Sequence, residues 1–216
     1  MTRSDLTAAG GLPPSLAARF VAASSRRRLV AGEELFGLGS MPQAMFGVLA
    51  GRVQVSIYAA DGRQLLAAVL GQGQWFGEVP LLDGVSRAFR AEALAAAEVA
   101  VLSAPAFWRL VGHDAQALLA VTRLVCHRYR QALAWIEDAS LRPLSARLAA
   151  RLLAQAQTAE PLRLPQEALA AQLGVSRQRV NRQLKAWEAE GLVELGYASV
   201  RIRDPAPFLA LSRHPA

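Results

Sequence analysis

Residues 164–192, LPQEALAAQLGVSRQRVNRQLKAWEAEGL, constrain the fold more than any other stretch of the chain. Leu169 and Leu173 are four apart and share one helical face. Gly174 then predicts a stop, because glycine takes the left-handed backbone that a helix end needs. Ser176 is a good N-cap for a second helix. Val180, Leu184 and Trp187 form that helix's apolar stripe, at spacings of four and three. Its other face carries Arg177, Gln178, Arg179, Asn181 and Arg182, with no carboxylate among them. Two short helices around a tight turn, the second with such a face, suit insertion into a DNA major groove. Arg can fork onto guanine, Gln or Asn onto adenine, and spare Arg onto phosphate.

The charge supports this. Net charge is +7 over 216 residues. Residues 141–216 hold 11 Lys+Arg against 6 Asp+Glu, while residues 1–140 hold 13 against 11. The excess lies on the smaller C-terminal part, interleaved with apolar positions, as attraction to a polyanion requires. Arg3 and Asp5 are followed by no apolar segment of signal-peptide type. No apolar run approaches the ~18 residues of a membrane span. Cys126 is the only cysteine, so an internal disulfide and an Fe–S cluster are excluded. A reducing cytoplasm is the expected location. His113, His127 and His214 are scattered and form no metal or haem set. No nucleophile–base constellation is present, so the expectation is no catalytic residue and no enzyme.

Upstream, Pro13 and Pro14 precede a short helix carrying Leu16, Phe20 and Val21. Arg26–Arg28 reads as a solvated charge run. From residue 29 to 104 short apolar runs alternate with glycines, and Asp61-Gly62 predicts a hairpin between VQVSIYAA and RQLLAAVL. Val53, Val55 and Ile57 show period 2, and Val99, Val101 and Leu102 close a β-roll as its last strand. Pro105 opens a helix with Phe107, Trp108 and Leu110. A longer helix is expected over 114–138. On it Leu119, Thr122, Cys126, Tyr129, Leu133 and Ile136 alternate steps of three and four, a heptad-like seam for a second copy. Leu118, Val121, Val125, Ala132 and Trp135 make the neighbouring stripe, facing the helix's own domain. Cys126 is expected to be a small buried hydrophobe. A break at 141–143, a helix over 144–157 and a connector, TAEPLRLP, lead to the helical pair. LVELGYASVRIRD then reads as a hairpin wing turning at Gly196, with Arg201 and Arg203 near a DNA backbone. The tail after Pro205 is expected to be only partly ordered.

WFGEVPLLDGVSRAFRA, residues 75–91, resembles the phosphate-binding cassette of cyclic-nucleotide-binding domains. With LFGLGSMPQAMFGVLAGRVQV before it and the helix-turn-helix after it, residues 15–205 resemble a Crp/Fnr-family transcriptional regulator. The resemblance implies an α+β chain with three parts. These are an effector-sensing antiparallel β-roll (1–113), a dimerisation helix (114–140) and a winged helix-turn-helix (141–216). It implies double-stranded DNA, a second copy of the chain and RNA polymerase as partners. It places Ser176, Arg177, Gln178, Arg179, Asn181, Arg182 and Arg201 at DNA, and Gly77, Glu78, Arg87 and Ala88 at a small anionic effector such as a cyclic nucleotide. Three departures keep the effector open between cyclic AMP, another small anion and none. Pro80 removes a backbone donor, Phe89 is bulky, and the base-binding pair of the family falls at Ala132-Leu133, which cannot hydrogen-bond. Pro165 stands where a capping Ser or Thr is usual. Gln178 replaces the family's Glu, so the family's half-site does not transfer. The rival reading is a nucleotide-binding sensor that acts through protein contacts.

Overall fold

The computed structural model describes residues 11–58, 64–156, 162–163 (backbone only), 165–196 and 199–212. Asp61-Gly62, residues 157–161 of the connector region and His214 lie outside them. The chain divides into two compact units, one of residues 1–58 and 66–132, the other of residues 59–65 and 133–216.

In the first unit, helix α1 (Pro14–Ala22) starts with a proline in its first turn and buries Leu16 and Phe20. Strand β1 (Ser25–Leu29) follows at once. The Arg26–Arg28 run is thus the exposed part of a strand, anchored by buried Leu29 and paired with β8 below, rather than a stretch before the roll. The next strands are β2 (Glu34–Phe36), β3 (Ala44–Ala50), β4 (Val53–Tyr58), β5 (Gln64–Leu70) and β6 (Trp75–Phe76). A five-residue helix, α2 (Val79–Asp83), ends on Gly84 at φ 73°, before β7 (Arg90–Ala93) and β8 (Ala97–Ser103). The strands form two four-stranded sheets, ordered β1-β8-β3-β6 and β2-β7-β4-β5, and every pairing with a described register is antiparallel. Leu29, Leu35, Phe46, Val48, Val53, Phe76, Ala91 and Val99 form the core of this roll. The period-2 expectation for β4 holds only in part: Val53 is buried, but Ser56 is buried too and Ile57 is exposed.

Helix α3 (Ala104–Val111) is capped by Ser103, whose Oγ accepts from the Ala106 amide at 3.4 Å. Helix α4 (Ala115–Leu141) is capped by Asp114, whose carboxylate accepts from the Ala117 amide at 3.0 Å. Its inward stripe is Ala117, Val121 and Leu124, which join Phe20, Trp75, Leu102 and Phe107 in one core. The stripe expected from the sequence is therefore shifted, and Leu118 is exposed.

In the second unit, α5 (Leu144–Ala156) buries Leu148, Ala149 and Leu152. A two-residue strand, β9 (Leu162–Arg163), lies in the connector. Helices α6 (Gln166–Leu173) and α7 (Arg177–Ala189) form the expected helical pair. Strands β10 (Val193–Gly196) and β11 (Ser199–Ile202) form the wing hairpin, and β9 adds to it as a third strand, in the order β10-β11-β9. Residues 213–216 lie outside the described residues; before them the chain enters α8 (Ala206–Ser212), so the tail after Pro205 is helical as far as Ser212. Phe208 is the reason. It is fully buried, edge-on to Trp187 with ring centroids 4.7 Å apart, in a core with Leu148, Leu152, Leu169 and Leu184. No helix among the described residues is long and apolar enough to cross a membrane.

Candidate nucleic-acid interface and effector pocket

The helical pair is fixed at its turn by three local devices. Gly174 closes α6 at φ 66°. The Val175 amide returns to the Ala170 carbonyl at 3.1 Å. Ser176 caps α7, its Oγ accepting from the Arg179 amide at 3.4 Å, which leaves the hydroxyl proton free to donate outward. Pro165 gives α6 no side-chain cap. A further support is Arg147 of α5, nearly buried, which donates Nη1 to the Leu173 carbonyl at 3.0 Å. A cation at a helix C-terminus complements the dipole there. Burial pushes its guanidinium pKa below the ordinary range, against the opposing pull of Asp138.

With Val180, Leu184 and Trp187 buried, helical geometry turns Arg177, Gln178, Arg179 and Arg182 outward, and all four are exposed. Arg177, Gln178, Asn181, Arg182 and Lys185 line one open concavity. None of its cations has a carboxylate partner among the described residues, so all three are available to an anion. Lys185 extends the set beyond what the sequence suggested, and its place one turn after Asn181 is the signal that could have found it. Asn181 is half-buried and not simply presented outward: its Nδ2 donates to Gln166 Oε1 of α6 at 2.8 Å. On the wing, Arg201 and Arg203 share Glu194 at 3.5 and 3.4 Å, so the hairpin offers one net positive charge there rather than two.

The cassette folds into the first unit. Gly77, at φ 86°, has room only for hydrogen: a Cβ there meets Arg87 Nη1 at 2.9 Å. Arg87 is 4% exposed, stacks 4.0 Å over the Phe36 ring and donates Nη2 to the Ala44 carbonyl at 2.6 Å. Desolvation lowers its pKa to about 10, partly offset by the charge of Glu78. Its backbone is clamped as well, Arg87 N to Ser40 O at 2.9 Å and Gly39 N to Arg87 O at 2.8 Å. Glu78 is fully buried, and both of its oxygens accept from Arg128 Nη1, at 2.5 and 2.6 Å. Arg128 Nη2 also reaches the Trp75 carbonyl. Gly77, Glu78 and Arg87 are thus brought together, while Ala88 is exposed beside them. Arg128 was not singled out from the sequence, where it is one of three arginines on the same helix.

The cassette groups that would meet a cyclic nucleotide's phosphate and ribose already have protein partners. Ala132 and Leu133 of α4 are exposed and carry no hydrogen-bonding group for a base. Of the contacts the resemblance implies for cyclic AMP, the one to the base is therefore missing, while those to phosphate and ribose require Arg87 and Glu78 to leave their present partners.

Leu119, Thr122, Cys126, Tyr129, Leu133 and Ile136 are all exposed on the single chain, Tyr129 by 64%. Cys126 is therefore exposed, not buried as expected from its apolar neighbours. Thr122 spends its hydroxyl on the Leu118 carbonyl at 2.9 Å, which leaves its methyl to the seam.

Comparison with known proteins gives two family matches: the cyclic nucleotide-binding domain over residues 26–114, and the Crp-like helix-turn-helix domain over residues 146–211. The chain is 32% identical over 204 residues to the cyclic AMP receptor protein of Thermus thermophilus, across 91% of this chain and 92% of that one. It is 26% identical over 189 residues to Vfr, a cAMP-activated global transcriptional regulator of Pseudomonas aeruginosa, across 82% and 88%. Its fold matches that of a Crp/Fnr-family protein from Eubacterium rectale with a TM-score of 0.81 at 18% identity, across 94% and 96% of the two chains.

Proposed function

Because this chain belongs to the Crp/Fnr family of DNA-binding transcriptional regulators, we propose how its own residues divide the work. Residues 1–113 sense, residues 114–140 pair two copies, and residues 141–216 bind DNA. The protein acts in the cytoplasm as a homodimer on a two-fold symmetric site, with half-sites about one helical turn apart. Arg177, Gln178 and Arg182 read base edges. Ser176 and Arg179 hold phosphate, and Arg201 braces the wing on the backbone. The observation that carries this is the concavity on α7, lined by cations without carboxylate partners among the described residues and by the amides of Gln178 and Asn181, above a buried stripe.

The dimer reading rests on the exposed seam of α4, six residues at alternating steps of three and four. Two copies meeting there would cover Leu119, Leu133 and Ile136 and bring the Cys126 side chains near the common axis. RNA polymerase is a further partner in this reading.

At Gly77, Glu78, Arg87 and Ala88 we place a small anionic effector, recognised at its anionic end. It must draw Arg87 away from the Ala44 carbonyl, and because Ala132 and Leu133 offer a base no hydrogen bond, we take the effector not to be cyclic AMP. Selection of bound sites from random DNA, with and without cyclic nucleotides, tests the whole reading. The expected result is a palindromic site enriched without nucleotide. Recovery of unrelated sequences would remove the DNA-reading claim, and enrichment only with cyclic AMP would remove the effector claim.

A further inference from the structure

We propose that Gln166, on the first helix of the pair, is a positioning residue for base readout: it orients Asn181 so that adenine is selected at one position of each half-site. This deepens the DNA-reading proposal and rests on it.

Asn181 lines the concavity with Arg177, Gln178, Arg182 and Lys185, yet its Nδ2 is engaged by Gln166 Oε1 at 2.8 Å. A carboxamide has two N–H donors and one carbonyl acceptor. Gln166 uses one N–H. What remains is the other N–H beside the Oδ1 acceptor. That donor–acceptor pair matches N7 and N6–H2 on the major-groove edge of adenine. Guanine presents two acceptors there, which would face Oδ1 lone pair to lone pair. Cytosine presents a donor only, and thymine an acceptor and a methyl group.

Without Gln166 the terminal torsion of an asparagine is broad and roughly two-fold, so the amide presents either end to the groove. The contact between helices converts it into a fixed reader. Both residues are half-buried, on helices whose relative placement is set by Gly174, Ser176 and the Leu169–Leu173–Val180–Leu184 core. The amide is therefore fixed to the scaffold and not to a loop.

The test uses the full-length protein, site selection from random DNA, and competition with duplexes changed one base pair at a time. Wild type is expected to prefer adenine at one position per half-site. Gln166→Leu leaves Asn181 free to turn and is expected to weaken that preference about 3- to 10-fold, one hydrogen bond's worth, at that position alone. Asn181→Ala abolishes it, a loss of about 5- to 150-fold. Gln166→Glu still accepts from Nδ2 and cannot donate when ionised, so it retains the adenine preference. Its added negative charge lowers affinity for all sequences alike. Thermal melts of the three variants are followed in parallel.

The proposal is overturned if Gln166→Leu keeps the preference, if Gln166→Glu loses it, or if Gln166→Leu lowers every position together. The last result would mean that Gln166 serves only helix packing. A wild type that selects no sequence at all overturns the DNA reading itself, and this inference with it.

Discussion

Arg128→Met tests the internal partner of the cassette. The substitution keeps an unbranched stem of similar reach and removes the guanidinium. Three interactions are lost: two to the Glu78 carboxylate, at 2.5 and 2.6 Å, and one to the Trp75 carbonyl. Glu78 is then a buried carboxylate without its cation. Breaking a buried pair on one side costs about 3–5 kcal/mol. The Arg128 side chain is 30% exposed, so water already screens its outer end, and the lower bound, about 3 kcal/mol, is the expected value. For a chain of this size that corresponds to a fall in Tm of about 6–12 °C. Urea unfolding followed by tryptophan fluorescence reads it, with Trp75 and Trp108 reporting the roll. The double variant Glu78→Gln/Arg128→Met removes both charges and is expected to be more stable than Arg128→Met by at least about 1 kcal/mol. A single-variant cost under about 1 kcal/mol, or a double variant as unstable as the summed singles, would refute the pairing.

Phe208→Ala empties a fully enclosed site against Trp187 and should cost about 3–5 kcal/mol, seen as earlier melting of the DNA-binding unit; no change would show that α8 does not complete that core. Gly77→Ala forces a left-handed backbone on alanine and sets its Cβ 2.9 Å from Arg87, so a loss of at least about 1–2 kcal/mol in urea unfolding is expected. Asp114 links Arg19 (2.9 Å) to the start of α4, and the Arg19 hydrogen bond, then that of the Ala117 amide, holds its pKa below the ordinary carboxylate value. A lowered folded-state pKa contributes stability that is present above the unfolded value and lost as pH falls through the folded one. Asp114→Asn should therefore flatten the acid limb of stability against pH, below the ordinary carboxylate range, and leave the neutral limb's slope unchanged.

What could be read from the sequence was whatever depends on near neighbours. The turn at Gly174, the cap at Ser176 and the Val180–Leu184–Trp187 stripe are set within a few residues, and the structure has all three. The two-sided character of α4 was legible for the same reason. The exact set of inward residues, Ala117, Val121 and Leu124, was not, because it depends on the surface offered by Phe20, Trp75 and Phe107. The same limit hid α8. Phe208 is ordered by Leu148, Leu152 and Trp187, which are distant in the chain, and a short apolar run beside two prolines gives no local sign of them. Glu78 and Arg128 are 50 residues apart, and nothing local distinguishes Arg128 from Arg123 or Arg130. Ser56 took a buried position in β4 that alternation assigned elsewhere, since the face is settled by pairing with β7.

On the proposed function, the exposed face of α7 reads bases. The most direct measurement of this is equilibrium binding of Arg177→Ala and Arg182→Ala to the selected site and to random duplex at one salt concentration. Each variant is predicted to lose about 5- to 150-fold on the selected site and far less on random DNA. Arg179→Ala serves as the contrast, weakening both DNAs similarly and flattening the salt dependence. Equal losses on both DNAs for Arg177→Ala and Arg182→Ala would mean that this face does not read bases.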